Sequence, residues 1–379
     1  MKTGIKVLIL LIIAISLFSC GSDSVRTDRD NAAEALRGKS ERAGRPGKTG
    51  SAAPQFAITA VPLKEGRVCI TFGIDEGIKV RTVTVLRSTT SLAEDLIDET
   101  AIPVVRSVVA QPAICYYDES AAHHTKYYYK AVLLTKMGKI IESSVVSVET
   151  ANVKLHLVRH PAIFIDKSSF TLEVQDGGKC VKRYPVALGR NPVKRKLNQD
   201  NSSTPEGVYE IVNIQPEATY YRAYDINYPN ETDQRRYRYF CSRGLLPLQG
   251  GSVPSIGGEI QIHGRGISWN WTFGCIALRN EDMDELFSSG EIGVGTPVYI
   301  AGKEISKADM EQEIRGILPN ENEALCMVLT ERGFLKKGEE EDSEYDLTCA
   351  LGDFQMASGL PVTCLFDLRT RAKLFGKHR

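Results

Sequence analysis

The sequence predicts a mainly β, multidomain chain: an immunoglobulin-like β-sandwich, a second β-rich domain and a small three-helix bundle. Three observations carry this. Short alternating apolar and polar runs, separated by turn signals, recur from Phe56 to about Asn152. A second, more widely spaced set runs from Val153 to GTPVYI near Ile300. Beyond Glu321 the apolar residues shift to helical spacing. At 379 residues the chain can hold two or three domains with proper cores.

In order, the first stretch is an export signal. Lys2 and Lys6 precede the apolar run VLILLIIAISLF, which suits a signal-peptide core and is too short for a stable membrane span. The ending Leu17-Phe18-Ser19-Cys20 resembles a bacterial lipobox, and that resemblance implies lipidation of Cys20; ordinary secretion is the alternative. Residues 21–54 are almost free of large apolar side chains and cannot offset the entropy of ordering, so they read as a tether. As a flexible coil they would reach about 30 Å. The expected location is the cell envelope, lipid-anchored and facing the periplasm, with Gly21 after Cys20 favouring the outer membrane over the inner. The formal net charge of +0 gives no sign of nucleic acid as a partner.

Residues 55–152 hold about seven short runs, among them FAITAV, RVCITF, VRTVTVL and KYYYKAVLL, the pattern of a β-sandwich. With Tyr127-Tyr128-Tyr129 and the ending GKIIESSVVSV, the domain resembles fibronectin type III. That implies a spacer or a surface for a protein partner. His123 and His124 read as a solvated turn.

Residues 153–302 form the second β domain. AIFIDKSSFTLEVQDGGKCVKRYPVALGR gives strands separated by turns at Asp166-Lys167-Ser168 and Gly177-Gly178, and Thr204-Pro205-Glu206-Gly207 sets another turn. From Gln215 to Gly257 a Tyr- and Arg-rich insertion, too long for a hairpin connection, predicts a lid or one wall of a cleft. Next comes GEIQIHGRGISWNWTFGCIALRNEDMDELF. Ile260 and Ile262 alternate with Glu259, Gln261 and His263, so a half-buried strand delivers a histidine. Twelve residues on, Gly274-Cys275 opens a short apolar run, and Asn280 suits the cap of the helix EDMDELF.

His263 and Cys275 read as a base and its thiol nucleophile. A thiol with an ordinary pKa near ~8.5 is mostly protonated at neutral pH, and a histidine can take the proton and favour the thiolate as an ion pair. Gly274 permits a turn that points backbone N–H groups at an oxyanion. Metal binding would use the same residue types, but no third or fourth ligand stands at suitable spacing, and of the nine cysteines no two form a CxxC pair. No metal and no cofactor is expected. Most of the cysteines read as buried free thiols, with bridges among some of them as the alternative. Trp269 and Trp271 lie between the two candidates, as packing or as a platform for a stem peptide or sugar. Arg222, Arg235, Arg236 and Arg238 offer a wall for carboxylates. His156, His160 and His378 read as surface residues, and Asp200 and Thr204-Pro205 as scaffold.

Three features, in order, make residues 153–302 resemble the L,D-transpeptidase catalytic domain family of YkuD type: the IDK hairpin, the TPEGVY turn, and IHG…GC followed by the helix containing Asp282 to Leu286. The resemblance implies Cys275 as nucleophile and His263 as base, with the Gly264 carbonyl orienting the imidazole and N–H groups at Gly274 and Cys275 receiving the oxyanion. The implied partners are peptidoglycan stem peptides and glycan. Thr272, Phe273 and Ala277 stand where the family commonly has Ser, His and Arg, and Arg279 is the candidate replacement for that guanidinium. With Tyr228-Pro229-Asn230, these departures mark a divergent branch. Candidate substrate-binding residues are therefore Trp269, Trp271, Thr272, Arg279, Tyr228 and Arg222.

After a connector at 303–320, residues 321–379 predict three amphipathic helices. Ala324-Leu325…Leu329…Gly333-Phe334, Ala350-Leu351…Phe354-Gln355…Gly359-Leu360 and Phe366-Asp367…Thr370 resemble a peptidoglycan-binding three-helix domain. The acidic run GEEEDSEYD replaces that family's usual Asp-Gly, and a packing domain is the alternative.

Overall fold

The computed structural model describes residues 56–90, 106–108, 115–248, 250–310, 319–335 and 343–376. The signal segment with Cys20, the tether, His378 and much of the connector lie outside them. The chain divides into two compact units, Met1–Asn152 and Val153–Arg379.

The first unit is built from two sheets. One orders β1 (Phe56–Pro62), β2 (Val68–Ile74) and β5 (Cys115–Asp118). The other orders β4 (Arg106–Val108), β3 (Val80–Ser88), β6 (Lys126–Thr135) and β7 (Ile140–Glu142), with β8 (Val146–Glu149) also paired to β6. Alternate residues of β6, Tyr127, Tyr129, Ala131 and Leu133, are buried against Phe56, Ile58, Ile70 and Val83. Each large apolar side chain so removed from water contributes about 1.5–3 kcal/mol. The polar ends are satisfied: Tyr129 Oη donates to Asp118 at 2.8 Å, and Arg87 pairs with the same carboxylate at 2.7 Å. His123 departs from the expected solvated turn. It is buried, because Gly66, at φ +76° and without a side chain, leaves room for its ring; a Cβ there would approach Nε2 to 2.9 Å. His124 is exposed.

The second unit is organised by an eight-stranded mixed sheet. Its strands are β9 (Pro161–Asp166), β10 (Thr171–Asp176), β11 (Lys179–Pro185), β12 (Gly207–Ala218), β13 (Tyr221–Ile226), β14 (Gln261–His263), β15 (Ile276–Ala277) and β16 (Pro297–Ala301). Their order is β11-β10-β9-β16-β12-β13-β14-β15. The last strand in sequence, β16, thus joins the opening meander to the strands that carry the site, parallel to β9 and antiparallel to β12. The fold is β-rich, with Ile163, Leu172, Tyr184, Ile211, Tyr224, Ile262 and Ile276 among the core residues.

The stretch from Gln215 to Gly257, expected as a lid or one wall of a cleft, is built into the sheet and a helix. It completes the β12–β13 hairpin and then forms α1 (Glu231–Ser242). A capping box starts that helix: Asn230 Oδ1 accepts from the Asp233 N–H, and Asp233 accepts from the Asn230 N–H. Its apolar face, Tyr239 and Phe240, is buried, which explains why so polar a run folds as a helix.

Among the described residues, α2 (Asn280–Ser288) and a helical turn at 307–310 are followed by α3 (Pro319–Glu331), α4 (Ser343–Ala357) and α5 (Leu368–Phe375). The last three enclose Leu325, Leu329, Leu351, Phe354, Phe366 and Leu374. Of these, α4 packs on α1 within the same unit. Gly352 lets α4 approach the Tyr239 ring, where a Cβ would come within 2.5 Å, and Asp353 accepts from Arg243 Nη2 at 2.7 Å. The cysteines with described side chains are free thiols, but only Cys69 and Cys364 among them are buried, against the expectation for most, and among the described residues no helix is long and apolar enough to cross a membrane.

Candidate active site

The site forms where β14 meets β15. The two strands run parallel, with Ile262 opposite Ile276 and His263 opposite Ala277. One step back in that register, Cys275 lies beside Gln261, and alternation puts its side chain on the sheet face that carries His263. The two residues thus stand on neighbouring strands, two positions apart along the sheet. The sulfur lies against the incoming chain of β14: Cys275 Sγ donates to the Glu259 carbonyl at 3.5 Å, and the Gln261 backbone N–H favours the thiolate.

Each partner is held by its own local structure. His263 Nδ1 donates to the Gly264 carbonyl at 2.8 Å, which leaves Nε2 as the acceptor nitrogen. Tyr220 lies tilted on the imidazole with ring centroids 5.0 Å apart, and Trp271 meets it edge-on at 5.4 Å. Gly264 is close-packed, since a Cβ would meet Asn280 Oδ1 at 2.7 Å and Tyr221 Cβ at 2.9 Å. On the other strand, Thr272 Oγ1 donates to the Cys275 carbonyl at 2.7 Å and accepts from the Gly274 N–H at 3.2 Å. Gly274 has φ +139°, and a Cβ would approach the Ser203 carbonyl to 2.7 Å. Only glycine suits that position.

Burial dominates the electrostatics. It pulls His263 below the ordinary histidine range; the Gly264 hydrogen bond opposes this and Arg265 adds to it. It pushes the Cys275 thiol up, against the Gln261 N–H and Lys196, while Asp225 and Glu259 push the same way as burial. Both shifts favour the uncharged forms, the thiol and the neutral imidazole. In each case desolvation outweighs the nearby charges and hydrogen bonds.

Of the other sequence candidates, Trp271 joins the His263 ring and the rest are dispersed. Trp269 is half exposed, and Trp271 donates from Nε1 to the Gly266 carbonyl at 3.2 Å. Arg279 forms a two-pronged pair with Asp282 at 2.6 and 2.9 Å. Tyr228 is 6% exposed, in the core under the sheet, and its hydroxyl donates to the Ile256 carbonyl. Arg222 pairs with Asp284 at 3.2 Å and lies over Phe287. Arg235 pairs with Glu344, Arg236 is buried beside Asp233, and Arg238 covers Tyr345, so the four arginines do not make one wall. Asn280 is not the expected cap. It is the first residue of α2, and its side chain accepts from the Arg265 N–H, tying the helix to the loop after His263.

Sequence reasoning missed Tyr220 and Lys196. Tyr220 sits in the turn of the β12–β13 hairpin, and Lys196 in the loop between β11 and β12, where its Nζ donates to the Phe273 carbonyl at 3.1 Å. No periodicity or motif singles out either one. Among the described residues no group of three or more His, Cys, Asp or Glu could hold a metal ion.

Residues 160–300 match the YkuD family model, described as the L,D-transpeptidase catalytic domain. No curated protein matches the chain. Among solved structures, an L,D-transpeptidase (residues 123–326) from Xylanimonas cellulosilytica is 16% identical, covering 38% of this chain and 61% of that one, at a TM-score of 0.24. L,D-transpeptidase 1 of Mycobacterium tuberculosis is 11% identical over 65% of this chain and 87% of its own, at 0.23. Pectate lyase PelI of Erwinia chrysanthemi is 20% identical over 25% of this chain and 27% of its own, at 0.20. The chain thus spans about three-fifths of the Xylanimonas structure and about a quarter of the lyase.

Proposed function

We propose that residues 160–300 carry an L,D-transpeptidase-type acyl-transfer site for peptidoglycan stem peptides, with Cys275 as nucleophile and His263 as its base. The observation that carries this is the parallel register of β14 and β15, in a segment matching that catalytic domain. The thiol gives its proton to His263 Nε2 as the sulfur turns from Glu259 to the substrate. A sulfur–carbon bond forms at the carbonyl between the third stem residue, a diamino acid, and the terminal D-alanine. Backbone N–H groups around Gly274 and Cys275 receive the oxyanion, the Cys275 N–H foremost, because that of Gly274 is engaged by Thr272. The carbon–nitrogen bond then breaks, and His263 returns the proton to the departing amine. A side-chain amine of a second stem attacks the thioester and gives a proton to His263, the carbon–sulfur bond breaks, the proton passes to the leaving sulfur, and a 3→3 cross-link results. Water in place of that amine makes the same site a carboxypeptidase, or an amidase releasing murein-bound protein.

We further propose a lipid anchor at Cys20, a periplasm-facing location, glycan contact through the C-terminal helices and a protein partner at the sandwich. The test of the chemistry is mass spectrometry of the full chain with a carbapenem and with defined tetrapeptide muropeptides. A covalent adduct at Cys275 and a cross-linked dimer are expected; Cys275→Ala should give neither, and His263→Ala a trace. The same adduct on Cys275→Ala protein defeats the assignment. Release of D-alanine without dimer assigns water as the acceptor.

A further inference from the structure

Lys196 is the buried cation of this site, and the acyl-transfer mechanism above gives it no task. Its loop is pinned firmly. Lys167 Nζ donates to the carbonyls of Lys194 and Thr204 and pairs with Glu206 at 2.9 Å, and Asn198 caps the turn at Gln199–Asn201. From that loop Lys196 reaches under the turn that precedes the cysteine. Its Nζ donates to the Phe273 carbonyl at 3.1 Å, and lies 3.4 Å from where a Cβ on Gly274 would stand. The side chain is 7% exposed. An ammonium so deeply buried needs a compensating charge, and one carbonyl supplies only part of it.

We propose that Lys196 is the counter-cation of the Cys275 thiolate, stabilising the sulfur anion once His263 has taken its proton. The proposal rests on Cys275 being the nucleophile. The groups that act on the sulfur come from every side. Asp225 on β13 and Glu259 before β14 are negative and disfavour the anion, the Gln261 N–H favours it, and the positive charge among them is Lys196. Burial pulls Lys196 below the ordinary lysine range, and Cys275 first, then Asp200 of its own loop, oppose that and favour the ammonium. Asp225 is already engaged by Asn213, Gln215 and Gln261. Arg279 is held by Asp282, and Arg265 acts on His263. Without Lys196 the sulfur would ionise among carboxylates in a desolvated pocket, which makes it a positioning residue of the nucleophile.

The test is the pH dependence of iodoacetamide alkylation of the Cys275 peptide, read by mass spectrometry on the full chain. In Lys196→Gln, which can still donate to the Phe273 carbonyl but carries no charge, the midpoint should rise by about one pH unit, slowing alkylation below both midpoints about tenfold. Lys196→Met should behave the same way, and Lys196→Arg should keep the wild-type midpoint. An unmoved midpoint in Lys196→Gln overturns the proposal. So does an equal rise in Lys196→Arg, since the residue would then act by fit and not by charge. The titration uses no peptidoglycan. Failure of the carbapenem adduct with a shifted Lys196→Gln midpoint would count against the acyl-transfer reading alone, and an unmoved midpoint with an intact adduct against Lys196 alone.

Discussion

Tyr220 lies on the imidazole of His263, ring centroids 5.0 Å apart and planes tilted by 32°, and the same tyrosine meets Trp271 edge-on at 5.4 Å. Two aromatic rings from different elements therefore fix the plane of the proposed base. The contact is made by the ring and not by the hydroxyl. Tyr220→Phe should keep near-wild-type acylation by a carbapenem, whereas Tyr220→Ala should slow it about tenfold by loosening the imidazole. Stopped-flow acylation rates distinguish these, and equal rates for Ala and wild type would remove Tyr220 from the site.

The pH dependence of acylation follows from the burial of His263. An ordinary histidine titrates near ~6.5, and this one is shifted down. The base is thus present at neutral pH and lost only as pH falls through a midpoint below that value. Arg265 contributes to the downward shift, so Arg265→Ala should move the acid limb to higher pH. The stability sign is the same. The unfolded histidine takes a proton first, so this stabilisation is lost from ~6.5 downward, to the folded midpoint.

How much of this was legible in the residues depends on range. The strand rhythm, the IHG and GC elements and the helical spacing beyond Glu321 are local signals, written in side-chain alternation and glycine placement. The register that brings Cys275 beside Gln261 is not local, because β14 and β15 are paired by the whole sheet. Tyr220 and Lys196 come from loops whose approach is fixed by distant contacts such as Lys167–Glu206, so nothing near them in sequence marks them. Asn280 had the composition of a cap, but the Arg265 N–H competes for its side chain and wins. In the Gln215–Gly257 run the polar face of the helix masks the burial of Tyr239 and Phe240, so its helical character is hard to read from composition.

Gly274 and Gly266 make a controlled pair. Both have positive φ, +139° and +98°, but a Cβ on Gly266 meets nothing within 4 Å while one on Gly274 meets the Ser203 carbonyl at 2.7 Å. Gly266→Ala should cost only backbone strain, about 1–3 kcal/mol, with acylation largely retained. Gly274→Ala adds a collision with backbone beside the proposed nucleophile and should slow acylation by about a hundredfold or more. Thermal melts with carbapenem mass shifts on both variants check the contrast.

The Lys167–Glu206 pair should be the most sensitive point outside the reacting groups. Glu206 is inaccessible to solvent, and it answers three donors at once: Lys167 Nζ at 2.9 Å, and the N–H groups of Glu304 and Ile305 at 3.1 and 2.9 Å. Removing the carboxylate strands a buried ammonium and two buried amides together. Glu206→Ala should therefore lose about 3–5 kcal/mol in urea unfolding, far more than a surface pair would. Lys167→Met removes the cation but also frees the Lys194 and Thr204 carbonyls, the two anchors of the loop that carries Lys196. Both carbonyls flank Lys196, so loosening them withdraws the ammonium from the Phe273 turn. At a temperature where Lys167→Met is still folded, its Cys275 alkylation midpoint should rise in the same direction as that of Lys196→Gln. If Lys167→Met lowers stability while the midpoint stays at the wild-type value, the loop holds its place without this pair.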